Sequence, residues 1–386
     1  MATGHQALSG RLNWVDQLRT LAIVLVVNMH ACVTYSHVGS WYVKDPPEPD
    51  ELTKIAFLFW QGHLQAFFMG ILFLLGGYFA YGSLRRRGAP GFLRERLLRL
   101  GAPTLLYMVL LNPLINIVIN PNHDDYGPLG PAYLRYLVHF RFLGGSGPMW
   151  FAAALLAFSA ALAALPHSDR GDGGGASPEP RAPGLGALAP WALVLVASTF
   201  LVRIVQPIGQ SVLNMQLCFF PQYILAFAAG VAAAREGWLL AIARSPLARR
   251  AGWMGIILGP VALAAVLVGA GILSGKGFEK LQGGWNLPAL GLAAWEQLAG
   301  LCIGLGALSF CSAKLNRSTP FSRWMAERSF GVYLLHPVVL VLLTIAFRPL
   351  VADPFLKVAL LTAAGLAGSY LASDLALRIP MLRKIV

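Results

Sequence analysis

The sequence predicts an all-α fold: a polytopic membrane bundle of about ten transmembrane helices with both termini cytoplasmic. Three observations carry this reading. Hydrophobic residues make up 56% of the 386-residue chain against 12% charged, and mean hydropathy is +0.62. Several apolar runs exceed the ~20 residues that a helix needs to cross a bilayer. Lys and Arg concentrate in alternate loops, as expected of a multi-pass protein.

Length and flanking turn or charge signals define spans at about 18–38, 62–83, 99–119, 149–166, 189–206, 216–235, 254–273, 290–312, 330–348 and 356–377. With the amino terminus inside, one set of loops holds Arg85, Arg86, Arg87, Arg94, Arg96 and Arg99, then Arg170 and Arg181, then Arg244, Arg249 and Arg250, then Lys314, Arg317, Arg323 and Arg328. The opposite set has chiefly Lys44, Lys54, Arg135, Arg141, Lys276, Lys280 and Lys357, with an acidic patch of Glu48, Asp50, Glu51, Asp124 and Asp125. This asymmetry supports an even number of spans, and it accounts for most of the formal charge of +13 without a nucleic-acid partner. The opening MATGHQALSGRLNW lacks the basic, apolar, small-residue order of a cleavable signal, so the first apolar helix is expected to stay. One membrane domain, 1–386, is expected, with residues 167–188 as a flexible Gly- and Pro-rich cytoplasmic loop. Any chemistry then lies within the bundle.

The first span, DQLRTLAIVLVVNMHACVTYSH, carries Asp16 and Arg19 at its start and His30 well inside it. Ionisable groups at such depth are costly and mark functional sites. Arg19 and His30 are eleven residues apart, which returns them to nearly the same helix face with roughly 16 Å of rise between them. Asp16 is placed to pair with Arg19. The bland alternative makes Arg19 an interfacial anchor and His30 an interhelical hydrogen-bonding residue.

The second span reads HLQAFFMGILFLLGGYFAYGS, whose Gly70, Gly76 and Gly77 suit close helix approach and whose aromatic residues suit packing. The third is entered by FLRERLLRLGAPTL, with Arg96 and Arg99 one turn apart and Arg85, Arg86 and Arg87 just upstream. Guanidinium groups pair with phosphate oxygens, so this edge can hold a phosphorylated donor; positive-inside bias alone also explains it. GGSGPMWF opens the fourth span and puts Trp150 at an interface. Arg203 lies towards the outer end of the fifth, followed by Asn214, Gln216 and Gln222, which can line an outward cavity or join helices. In ERSFGVYLLHP, Ser329, Tyr333 and His336 share the ninth span, and Asp374 and Arg378 form an i, i+4 ion pair near the end. Cys32, Cys218, Cys302 and Cys311 are scattered among apolar residues, and His and Cys spacing indicates no metal site.

Together these blocks resemble the acyltransferase 3 family of integral membrane proteins, especially its glucan biosynthesis protein C branch, the periplasmic glucan succinyltransferases. The matching residues are Asp16, Arg19 and His30; FFMGILFLLGGYF; Arg96 and Arg99 in RERLLRLGAP; GPMWF; NMQLCFFPQYILAFAAG; SFGVYLLHP; and LRIPMLRK, in order over nearly the whole chain. Where the family often has Ser-Gly-Tyr, this chain has Gly76, Gly77 and Tyr78. The resemblance implies a ten-helix enzyme of the bacterial inner membrane that moves an acyl group, acetyl or succinyl, from cytoplasmic acyl-CoA to a hydroxyl of a glucan, another envelope glycan or a small glycosylated metabolite.

On that resemblance His30 leads as catalytic residue, with Arg19 and Asp16 as its motif companions. By the same matching Arg96 and Arg99 become donor-site groups; charge and position add Arg85, Arg86 and Arg87 to that set and make Trp150, Arg203, Tyr333 and His336 candidate pocket residues. Acyl-CoA is then a co-substrate, and no permanently bound cofactor is expected. Imidazole suits the task, because a sugar hydroxyl needs a base as it attacks a thioester. A covalent acyl-enzyme route stays open. Two classes compete: a transporter that moves a sugar or lipid intermediate unchanged, and a structural or regulatory membrane subunit that has lost activity.

Overall fold

The computed structural model describes residues 12–120, 127–166, 180–272 and 277–383. Asp124, Asp125, Arg170, Lys276 and positions 167–179 of the expected loop lie outside them. Among the described residues the only regular structure is helical. In chain order the helices are α1 (Asn13–Ser36), α2 (Glu51–Arg96), α3 (Ala102–Leu106), α4 (Leu129–Val138), α5 (Trp150–Ala164), α6 (Leu185–Val205) and α7 (Phe220–Glu236). They continue with α8 (Leu239–Ala243), α9 (Pro246–Ala270), α10 (Phe278–Gln282), α11 (Leu287–Lys314), α12 (Pro320–Phe347), α13 (Pro354–Leu377) and α14 (Pro380–Arg383).

Nine helical stretches among the described residues are long and apolar enough to cross a membrane. The sequence expectation of ten differs because one stretch, Glu51–Ile119, contains two crossings. Gly88 breaks it with φ 68° and ψ 167°, a conformation open to a residue without Cβ. Past that break the chain returns towards the end of α1, since Tyr107 and Asn112 both hydrogen-bond to Tyr42 in the loop that follows α1. The returning arm alternates α-helix with wider π turns around α3 and carries Pro103 and Pro113, which withhold backbone N–H groups from the ladder.

Packing follows the rule for helices in lipid, where close van der Waals contact and interhelical hydrogen bonds replace hydrophobic driving force. The extensive α2–α7 contact depends on Gly77 and Gly230, because a Cβ at either would strike backbone of the facing helix, Phe227 and Leu74 respectively. α1 lies among α2, α12 and α13. Helix α6 starts at Leu185, inside the expected loop, and is the least enclosed of the crossing helices. The fold thus puts the start of α1, the Gly88 turn and the loop after α11 on one side. The loops 37–50, 139–149 and 206–219 share the other.

Candidate active site

Two histidines brought together from helices at opposite ends of the chain form the centre of the site. His30 Nδ1 on α1 lies 3.0 Å from His336 Nε2 on α12. The other nitrogen of His336, Nδ1, faces the backbone carbonyls of Tyr333 at 2.8 Å and Val332 at 3.3 Å. Carbonyl oxygens only accept, so His336 Nδ1 carries the proton. With each ring neutral, His336 Nε2 accepts from His30 Nδ1–H, and the free lone pair belongs to His30 Nε2.

Trp41, from the loop after α1, stacks on the His30 ring with centroids 3.9 Å apart and planes 14° apart. That loop is fastened from several sides. Asp45 N donates to Thr34 O at 3.0 Å, and Lys357 Nζ on α13 reaches Asp45 Oδ2 at 2.9 Å in a buried ion pair. Gln61 Nε2 donates to Val38 O at 3.2 Å. Tyr42 donates to Asn112 Oδ1 at 2.9 Å and receives from Tyr107 at 2.7 Å. Burial pushes the Tyr42 phenol well above its ordinary range, so it serves as a neutral hydrogen-bonding group at neutral pH.

Below His30 the α1–α12 contact continues. Thr20 and Ser329 hydroxyls meet at 3.1 Å, and Arg19 Nη2 donates to Ala326 O at 3.1 Å. Asp16 Oδ1 lies 3.5 Å from Arg19 Nη2, which realises the expected pairing.

His30 opens into a chamber of about 850 Å³. Its walls hold carboxamides, among them Gln61, Gln65, Asn112, Asn116, Asn214 and Gln216, and the rings of Trp41, Tyr42, Trp150, Tyr223, Trp295 and Tyr333. Residues 38–42, 144–148 and 208–216 bring the loops of one side to it, and the Lys and Arg distribution places that side away from the cytoplasm. Arg141 and Glu296 are the charged groups among the described lining residues.

The family model for the Acyltransferase domain, Acyl_transf_3, matches residues 12–374. The chain belongs to the acyltransferase 3 family. No curated protein and no solved structure matches it.

The acyltransferase's other expected site residues are distributed around this centre. Trp150 and Tyr333 line the chamber, and Tyr333 donates its hydroxyl proton to Pro148 O. Arg203 is fully buried outside the lining set, where its Nη2 holds both oxygens of Glu296 at 2.9 and 2.8 Å. Asp374 pairs with Arg378 as expected and also with Arg328 at 2.6 Å. Arg85, Arg86, Arg87, Arg96 and Arg99 gather at the Gly88 turn, on the opposite side from the chamber mouth. Glu95 sits among them, 3.2 Å from Arg87 Nε and 3.5 Å from Arg99 Nε, and the Arg96 guanidinium covers the Phe92 ring at 5.1 Å. No His, Cys, Asp and Glu grouping among the described residues has the form of a metal site.

Sequence reasoning missed Trp41, Asp45, Lys357 and Glu296. Glu296 carries the same signal that singled out Arg203, an ionisable residue inside an apolar span. Trp41 lies in an irregular loop and has no motif of its own.

Proposed function

We propose that this acyltransferase transfers an acetyl or succinyl group from cytoplasmic acyl-CoA to a hydroxyl of a glucan, another envelope glycan or a small glycosylated metabolite, with His30 as general base. The observation that carries the reading is the free lone pair of His30 Nε2, at a chamber walled by carboxamides and aromatic rings. Amides present paired donors and acceptors to neighbouring hydroxyls, and ring faces accommodate the apolar face of a sugar. The motif order resembles that of the glucan branch, and such an acceptor fits a bacterial inner-membrane enzyme whose chamber opens outward.

In the proposed step His30 Nε2 removes the hydroxyl proton as the oxygen attacks the thioester carbonyl. The tetrahedral adduct collapses with cleavage of the C–S bond, and the leaving CoA sulfur takes the proton from His30. The products are the ester and free CoA, and the base is regenerated. His336 is a positioning residue that keeps Nδ1 of His30 protonated. The arginines at the Gly88 turn face the compartment where acyl-CoA resides and match its phosphates in charge.

The test is CoA release by purified protein in nanodiscs, across acetyl- and succinyl-CoA and a panel of envelope glycans. Wild type should release CoA and yield acylated glycan, and folded His30→Ala should lose about 10²- to 10⁴-fold in rate. Glycan movement across the membrane without CoA release would replace this reading with transport.

A further inference from the structure

The chamber is larger than the surroundings of His30 require. While α1 and α12 supply the histidines, another part of its wall comes from α9, α10 and α11 and presents Gln282, Trp295 and Glu296. Glu296 is the one carboxylate among the described lining residues. It belongs to a membrane-spanning helix, and a charge in such a place is paired and carries function by default.

Its pairing leaves a vacancy of a definite kind. A carboxylate has about four acceptor positions. Glu296 Oε1 accepts from Arg203 Nη2 at 2.9 Å and from Gln297 Nε2 at 3.0 Å, whereas Oε2 accepts only from Arg203 Nη2, at 2.8 Å. Arg203 cancels the charge and fixes the carboxylate, so Oε2 can accept one more hydrogen bond without attracting cations. Trp295 beside it is equally fixed, since its Nε1 donates to Gly259 O at 2.7 Å and its ring meets His63 edge-on at 5.0 Å. A rigid indole, a neutralised carboxylate with a free acceptor position and the amide of Gln282 suit an uncharged, hydroxyl-rich unit.

We propose that this part of the chamber is a second sugar subsite, in which Glu296 Oε2 accepts from a hydroxyl of the saccharide unit next to the one presented to His30. The proposal rests on the glycan-acceptor reading and narrows it: the acceptor is a neutral saccharide of at least two units.

The experiment uses the full chain in nanodiscs and a ladder of neutral gluco-oligosaccharides of one to four units, measured by calorimetry. Wild-type affinity should rise about 10-fold or more beyond the single unit, the size of one hydrogen bond to a charged group. Arg203→Met/Glu296→Leu, which removes the acceptor, should flatten that rise; the pair is changed together so that no lone buried charge remains. Trp295→Leu, which leaves the ion pair intact, should flatten it as well. A ladder equally steep in wild type and both variants, or flat in wild type, overturns the subsite and leaves acyl transfer by His30 standing. Failure of every ladder member to bind, while acyl-CoA is consumed with a non-sugar hydroxyl, overturns the glycan acceptor and the subsite together.

Discussion

Replacing His336 by leucine removes the ring nitrogen that accepts from His30 at 3.0 Å and keeps an apolar side chain in a fully buried position. His30 Nδ1–H then has no partner, and the imidazole is free to place its proton on Nε2, the nitrogen that takes the hydroxyl proton in the proposed step. Leaving such a buried donor unsatisfied costs about 1–3 kcal/mol. If that full amount is lost from the transition state, kcat falls about 5- to 150-fold, at tenfold per 1.36 kcal/mol. KM should stay near its wild-type value, because His336 holds the base and does not touch the substrate. His336→Gln supplies a carbonyl acceptor and should recover part of the loss. The assay is steady-state CoA release at saturating acceptor, with thermal unfolding as the check on folding. Wild-type kcat in a folded His336→Leu protein would refute the tautomer argument, and a rise in KM with kcat unchanged would make His336 a binding residue instead.

Two further outcomes test the frame around the histidines. Lys357→Met removes the cation hydrogen-bonded to Asp45 Oδ2 and leaves Arg348 Nε, 3.8 Å from Oδ1, as the remaining counter-charge, so it should cost about 1–3 kcal/mol; hydrogen exchange should show residues 37–50 opening and kcat falling with loss of the Trp41 stack, and unchanged protection there would count against the latch. Gly230→Ala drives a methyl group into the Leu74 carbonyl of α2, an overpacking that should destabilise by about 1–3 kcal/mol and lower Tm, with no loss expected at a glycine that faces open space such as Gly186.

Much of this fold is legible in the sequence, for physical reasons. A crossing helix must be apolar for about 20 residues, so its existence is written locally. The exception, Glu51–Ile119, shows the rule: helical hydrogen bonding merges two crossings into one stretch, and only the charge run before Gly88 marks the turn. His30, Arg19 and Asp16 were readable because charge in an apolar run is costly. What joins them was not. His336 lies 306 residues from His30, and Lys357 lies 312 from Asp45, so neither pair has a signal in local spacing. Arg203 was visible, but the chamber belongs to its partner Glu296 on another helix. Glu95, one residue before Arg96, gives the arginine cluster an internal counter-ion.

The spacing between Arg19 and His30 acquires a structural meaning that sequence could not supply. On an isolated helix the two residues share a face about three turns apart and do not touch. In the bundle both reach the same neighbour, α12: Arg19 to Ala326, Thr20 to Ser329 and His30 to His336. Eleven residues separate the outer contacts on α1, and ten separate their partners on α12. The three contacts therefore fix the register of one helix against the other, and a slide by a single turn would break all of them. The base proposed here, whose tautomer depends on a nitrogen of another helix, needs that register held to a few tenths of an ångström, within the tolerance of a hydrogen bond. In the proposed mechanism Arg19 then serves the site through α12, and the arginines at the Gly88 turn are left to meet the donor.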